Sequence, residues 1–499
     1  MINFIYLFNF LLCISISIIF SYGEVLLFLD IFNSNCILIN LGFKNINLPV
    51  DTPLLWHNIK FLFVLFSFLS KFIFINLFLD KFSNITHQRS QKIHCNCDQT
   101  LYLKLGKDFS SNEYVILPEK GLYQNILITG AIGSGKTSSA MYPITRQLIS
   151  YKADSPKEKL GMLILDVKGN YHYQVSEYAK LYGRENDIIT IEISGKYKYN
   201  PIDNKSLKPS VLANRLKTIL LLFSPNNTES YWLDKSETVI SEAIKLCRLY
   251  NNNYVTFQEL HHLITDFNYY SSKVSLLRQM FIKNTFNKTQ ICDLLSTINF
   301  FEKEFFSLDS RTLNILKSEI TRITNCFVSD YNIISTFCPT QSNNNFLGFN
   351  NVINSGKIVV LNMNINEYRN LSKIIATYLK LDFQTEVLRQ LSNKNINPHP
   401  VAFISDEYSE YASATDANFF SQSRESKCIN IVSTQSYTSL LNALNNKYTV
   451  EVIVQNLVNK LWFRSDDTFT IEDAQKQLRQ NRRRKNFKNH LGKCERDFL

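Results

Sequence analysis

Glycine is scarce in this sequence, with 14 among 499 residues, so any glycine-rich run that does occur carries weight. None of its ten cysteines is paired at Cys-x-x-Cys spacing. The nearest grouping, His94-Cys95-Asn96-Cys97-Asp98, has no second ligand pair at a zinc-site distance, which argues against a zinc ribbon or finger. Reduced structural thiols in a reducing compartment are the expectation. Basic residues are missing from the start, since no Lys or Arg precedes Lys44, and no small-residue cleavage site stands out. A cleaved signal peptide wants both. Charge of either sign is absent from residues 2–23.

A chain of 499 residues is long enough for two or three units of ordinary domain size, and its 45% apolar content can bury a sizeable interior. Abundant Asn, Ile and Lys match an AT-rich coding bias, so asparagine counts argue nothing. The net charge of +11 suits a partner made of phosphates, either nucleic acid or lipid headgroups.

The uncharged run at about 2–23 and a second apolar run at 59–79 are each long enough to cross a bilayer as a helix. The segment 24–56 between them holds one basic residue, Lys44, whereas Lys81, Arg89 and Lys92 follow the second run. The positive-inside rule then places both termini in the cytoplasm. Lys71 lies inside the second run, where a charge costs about 2.5–3.5 kcal/mol, and is expected to snorkel or face a neighbouring helix.

The segment Asn125-Ile-Leu-Ile-Thr-Gly130-Ala-Ile-Gly133-Ser134-Gly135-Lys136-Thr137-Ser138 reads as a strand, a phosphate-binding loop and a helix start. Glycines at 130, 133 and 135 allow backbone N–H groups to turn toward phosphates, and the helix N-terminus adds its positive end. Lys136 is expected to neutralise the β- and γ-phosphates of ATP and Thr137 to hold Mg²⁺, with Ser134 and Ser138 lining the loop. Hydrolysis further needs carboxylates. Val401-Ala-Phe-Ile-Ser-Asp406-Glu407 offers a strand ending in two adjacent acids, Asp406 for the metal shell and Glu407 as base toward water. Asp166, at the end of Met162-Leu-Ile-Leu-Asp166, is a rival that lacks an adjacent Glu and ranks second for metal chemistry.

Together these segments resemble the type IV coupling proteins, the TraD/TraG-like ATPases of conjugation and type IV secretion. Asp166-Val-Lys168-Gly169-Asn170 stands where that family has Asp-Pro-Lys-Gly-Glu, and Tyr199-Asn200-Pro201-Ile202-Asp203 resembles its Tyr-Asn-Pro-Leu-Asp turn. Tyr231-Trp232 is similar to a pair near the start of its helical insertion. Ser405-Asp406-Glu407-Tyr408, Ser423-Arg424-Glu425, Val432-Ser-Thr-Gln435-Ser436 and the block from Asn456 through Trp462-Phe463-Arg464 to Asp467 are similar to later blocks in the same order. The resemblance implies that Gln435 senses the γ-phosphate and that Arg424 reaches a neighbouring subunit's nucleotide as an arginine finger. It also implies an α/β RecA-like P-loop domain with an all-helical insertion, preceded by two transmembrane helices.

Apolar strands alternating with helical stretches at 100–207 and 341–480 predict a mostly parallel α/β sheet. From 208 to 340 helical periodicity dominates, with Val239, Ile240, Ala243 and Ile244 on one face and Leu313, Ile315, Leu316 and Ile320 on another. Residues 1–80 are read as the anchor and 481–499 as a basic tail. Arg479, Arg482, Arg483, Arg484, Lys485, Lys488 and Lys493 concentrate charge there for DNA phosphates, anionic lipid or solvent alone.

The expected activity is hydrolysis of ATP with Mg²⁺, coupled to delivery of single-stranded DNA without sequence preference, with a relaxase or effector protein, to a secretion channel. The expected assembly is a homohexamer at the bacterial inner membrane with its ATPase domain cytoplasmic. Two other readings compete. A docking receptor for effector proteins would use ATP as an assembly switch. An FtsK-type DNA pump would have more spans, a long linker and a winged-helix module, and none is evident. No Leu-Ser-Gly-Gly-Gln-like signature follows the P-loop, which disfavours an ABC transporter.

Overall fold

The structure, a computed structural model, describes residues 100–478 apart from 167, 224–229, 284 and 393–397. Both expected membrane spans, the cysteine grouping at 95–97 and the basic tail lie outside the described residues. Among the described residues no helix is long and apolar enough to cross a membrane.

Seven parallel strands form the main sheet. They are β3 (Ile126–Thr129), β4 (Gly161–Leu165), β5 (Ile188–Ile191), β6 (Ile358–Leu361), β7 (Val401–Ser405), β8 (Cys428–Thr434) and β9 (Asn459–Trp462). Their spatial order is β5-β6-β4-β7-β8-β3-β9. Every residue of β3, β4, β6, β7 and β8 is buried. That is why they read as unbroken short apolar runs rather than alternating ones: a parallel sheet is covered on both faces. Alternate side chains feed different cores. Leu163, Leu165, Phe403 and Val432 join one core, while Met162, Ile164, Ile404 and Ile431 join the other. Before this sheet, β1 (Tyr102–Lys107) and β2 (Tyr114–Pro118) pair as a separate antiparallel hairpin, followed by α1 (Glu119–Leu122).

The helix after β3 opens with a wide π-helical segment, Lys136–Met141, and continues as α2 (Tyr142–Ser150). With α3 (Tyr171–Leu181) it covers the second core through Met141, Ile144, Leu148, Tyr171 and Val175.

Between β5 and β6 the chain is helical, with no strand among the described residues. It runs through α4 (Pro209–Leu222), α5 (Ser230–Tyr250), α6 (Phe257–Thr265), α7 (Phe267–Ile282), α8 (Lys288–Phe300), α9 (Ser310–Val328) and α10 (Tyr331–Phe337). Side-chain caps start several of these helices by accepting otherwise unpaired N–H groups. Thr256 accepts from Glu259 N, Asn287 and Gln290 form a reciprocal capping box, and Asp309 accepts from Arg311 N and Thr312 N. Val239, Ile240, Ala243 and Ile244 are buried on α5, as their spacing predicts. On α9 the buried stripe is Leu316, Ile320, Ile323 and Phe327. Ile315 instead lines a surface hollow beside Arg311 and Glu319, one helical step off the stripe.

After α11 (Phe349–Asn354) and β6 comes α12 (Ile365–Arg389), whose backbone leaves helical geometry at Arg369 (φ 43°, ψ −119°). The remaining helices are α13 (Asp416–Gln422), α14 (Tyr437–Leu444), α15 (Lys447–Asn456) and α16 (Thr468–Leu478).

Candidate active site

In a parallel α/β sheet the loops after the strands gather along one edge, and ligands bind there. Here that edge receives the loop after β3, the acids after β4 and β7, and Gln435 after β8. Because β8 lies between β3 and β7, Gln435 emerges between the P-loop and the acidic pair.

The loop has the backbone its sequence requires. Gly133 and Gly135 adopt φ of 75° and 92°, left-handed values that a side chain would strain. A Cβ at Gly130 would meet Phe463 Cβ at 2.5 Å and Ser134 Oγ at 2.8 Å, because the end of β9 packs against it. Ala131 N donates to Arg464 O at 2.7 Å and Phe463 N to Thr129 O at 2.7 Å, which ties the loop to β9. Lys136 is buried and folds back on its own loop, donating to Gly130 O at 2.5 Å and Ala131 O at 3.3 Å. Ser134 Oγ is buried without a hydrogen-bond partner, and Ser138 Oγ donates to Gly135 O at 3.3 Å.

Thr137 Oγ1 donates to Asp406 Oδ2 at 2.9 Å, bringing together two residues 269 positions apart. The other carboxylate oxygen, Oδ1, accepts from Ser433 Oγ on β8 and from Glu407 N at 3.1 Å. Asp406 is buried, and its N–H donates to Leu165 O of β4 at 3.0 Å. Glu407 follows in a left-handed conformation (φ 50°, ψ 47°), uncommon for a residue with a side chain. Burial pushes its carboxyl above the ordinary glutamate range and the Asp406 charge adds to this, while Lys136, Lys168 and a hydrogen bond from Gln435 pull it down. Glu407 is therefore a partly desolvated carboxyl within the influence of both the P-loop lysine and Gln435.

Asp166 is committed elsewhere. Its Oδ1 accepts from Lys168 N at 3.1 Å and its Oδ2 from Asn170 N and Tyr171 N at 3.0 and 3.1 Å. The carboxylate thus fastens the start of α3, and Lys168, exposed on that turn, adds its charge near Glu407. The Tyr199–Asp203 turn serves packing too. Tyr199 Oη donates to Asp382 Oδ2 at 2.6 Å and Asn200 Nδ2 to Val255 O at 2.7 Å, which ties the helical region to α12.

Arg424 does not join the site of its own chain. It is exposed in the turn before β8, whereas Gln435 follows β8. Seven strand residues separate the two edges by about 20 Å. Arg424 is therefore not placed to reach a nucleotide held by the loop of its own chain.

Ser433, whose hydroxyl bridges β8 to Asp406, was not legible, because a small hydroxyl within a strand carries no signal of its own. Nor was Tyr411, whose hydroxyl is buried without a partner and feels the charges of Asp166, Asp406 and Glu407.

The residues fit a magnesium nucleotide. The loop glycines, the lysine and the unpartnered Ser134 hydroxyl make a cradle that a phosphate group would complete. No group of three His, Cys, Asp or Glu among the described residues could hold a metal by itself. A cation at Thr137 and Asp406 would therefore take most of its shell from phosphate and water, as Mg²⁺ does.

No known protein family and no curated protein matches the chain. Among solved structures, it is similar to the plasmid coupling protein TrwB in complex with the non-hydrolysable GTP analogue GDPNP. That match has 14% identity, covers 76% of this chain and 79% of that one, and has a TM-score of 0.48. A TrwB complex with ADP and Mg²⁺ is similar at 14% identity, 72% and 76% coverage and a TM-score of 0.47. VirB4 of Thermoanaerobacter pseudethanolicus is similar at 13% identity, 75% and 87% coverage and a TM-score of 0.45. These are distant likenesses, and the functional reading stands on the chain's own residues.

Proposed function

We propose that this chain is a membrane-anchored ATPase that couples ATP hydrolysis to delivery of DNA, with bound protein, to a type IV secretion or conjugation channel. The observation that carries the enzymatic part is the Thr137–Asp406 hydrogen bond, with Glu407 and Gln435 beside it. In this reading Lys136 exchanges its carbonyl partners for phosphate oxygens, and Thr137 and Asp406 orient the metal. Bound Mg²⁺ supplies charge neutralisation for the transferring phosphoryl group. Glu407 orients the attacking water and accepts its proton, and Gln435, hydrogen-bonded to Glu407, senses the γ-phosphate. The Lys136 loop binds, and the acidic pair hydrolyses.

Coupling to cargo rests on the sequence. The apolar runs at 2–23 and 59–79 supply the anchor, and the positive charge supplies attraction to phosphates. That charge is uneven: residues 479–499 hold eight basic and two acidic side chains, more than half of the net +11. Binding to DNA is then independent of sequence and weakens with salt. In a hexamer, Arg424 of one subunit would face a neighbour's nucleotide. ATP turnover by the full-length chain in detergent, with and without single-stranded DNA at low salt, tests the proposal. Stimulation supports it; turnover indifferent to DNA in an assembled oligomer contradicts translocation.

A second reading draws on the helical region. Residues 209–337 hold 13 basic and 12 acidic side chains, so no strong positive field marks this region for DNA. Phe267, Ile282 and Leu295 are exposed on it, a surface chemistry suited to protein contacts. A docking receptor for effector proteins would use that surface and keep delivering protein when Glu407→Gln blocks hydrolysis. A motor would stall.

A further inference from the structure

The geometry points to Lys380, Asp416 and Tyr408 as a buried positioning network that holds Glu407 in its left-handed turn against the P-loop. This inference rests on Glu407 being the base proposed above.

Asp416 is fully buried at the start of α13, yet its carboxylate is saturated with donors. Its Oδ2 accepts from Lys380 Nζ at 2.6 Å, Tyr408 Oη at 2.5 Å and Ser413 N at 2.9 Å, and its Oδ1 accepts from Gln384 Nε2 at 2.9 Å. Lys380 is equally buried and spends its remaining protons on Tyr411 O at 2.6 Å and Ser413 Oγ at 3.0 Å. Burial pushes the Lys380 ammonium down and the Asp416 carboxylate pulls it back up, as expected for a charge kept only by its partner. Such a pair is a poor source of stability compared with apolar packing of the same volume, and registry is its best-attested use.

The placement shows what is registered. Lys380 and Gln384 are one turn apart on α12 and both grip Asp416. Through Tyr408 the grip reaches the residue bonded to Glu407, and through the Tyr411 carbonyl it reaches the residue whose unpartnered hydroxyl lies among the acids. About two turns earlier on the same helix, Lys373 pairs with Glu410 at 2.5 Å. So α12 clamps the segment 408–416 at two points, and Glu407, strained at φ 50°, stands between that clamp and strand β7. Strained backbone persists only where its surroundings fix it. On its other flank α12 carries Asp382, which pairs with Arg215 of α4 and accepts from Tyr199 Oη. One helix therefore bridges the helical region and the base.

Tyr408→Phe tests this with little change of volume, because Asp416 keeps Lys380, Gln384 and Ser413 as donors. In the full-length chain in detergent, kcat for ATP is expected to fall about tenfold or more with the nucleotide KM within about twofold, since only the base loses its setting. A double variant, Lys380→Met with Asp416→Leu, removes both charges together so that neither is left unpaired, and the same drop in kcat with KM retained is expected. Wild-type kcat in Tyr408→Phe, or an equal loss of nucleotide affinity in both variants, would overturn the proposal. Glu407→Gln measured in parallel separates the two claims. If it stalls hydrolysis while Tyr408→Phe does not, only the positioning role fails. If Glu407→Gln turns over normally, both fail.

Discussion

Two buried polar clusters, one at each edge of the main sheet, differ in how completely their groups are paired. At the amino edge Arg184 is fully buried, and its donors are taken up by Asp187 Oδ2 at 3.1 Å, Ile149 O at 3.2 Å, Leu160 O at 2.9 Å and Gly356 O. Asp187 is completed by Lys159 at 2.6 Å and Lys357 at 3.2 Å. At the carboxyl edge the buried hydroxyls of Thr129, Ser134, Ser405 and Tyr411 lack partners, and Glu407 is held at positive φ. An unpaired buried polar group costs about 1–3 kcal/mol. A closed network is a fastening. An open one is a site that waits for a ligand to complete it.

That contrast can be broken in four places. The largest expected effect is Glu407→Gln, which should lower ATP turnover by about 10²- to 10⁴-fold while fluorescent-nucleotide titration shows affinity retained. Arg184→Met should act on the fold instead. It strands three carbonyls and should cost about 3–5 kcal/mol of stability, read by chemical denaturation, with nucleotide affinity preserved in whatever remains folded. Ser433→Ala removes one donor from Asp406 without touching the phosphates, and should reduce kcat about tenfold in a Mg²⁺-dependent assay. The smallest effect concerns pH. Glu407 must be ionised to act as a base, and its raised pKa places the acid limb of kcat above the ordinary glutamate value of about 4.3. Lys168 lowers that pKa, so Lys168→Met should move the limb to higher pH; an unmoved limb would show that Lys168 does not act on the base.

Which of these residues could be read from the sequence follows from how far each contact reaches along the chain. The P-loop was legible because its chemistry is contiguous from Gly130 to Thr137 and needs glycine in a chain that has little. Asp406 and Glu407 were legible as acids ending an apolar strand. Ser433 was not, since its partner is 27 residues away and nothing beside it in the chain marks it for an acid. Lys380 and Asp416 were invisible for a stronger reason: separately each looks like a solvated charge, and only the fold pairs them across 36 positions. The edge on which Arg424 lies was decipherable from order alone, because it precedes β8 while Gln435 follows it. The helical stretch 209–337 was readable from its apolar spacing, although the stripe on α9 runs through Leu316, Ile320 and Ile323 and leaves Ile315 at its margin.

The proposed hydrolysis requires Thr137 and Asp406 to act on one metal beside one triphosphate. A double-mutant cycle of Thr137→Ala and Asp406→Asn, reading the Mg²⁺-dependent part of ATP affinity in the full-length chain, measures this directly. A coupling of about 1 kcal/mol or more between the two changes is expected. Additive effects, within about 0.3–0.5 kcal/mol, would contradict it by showing that the two residues serve separate ends.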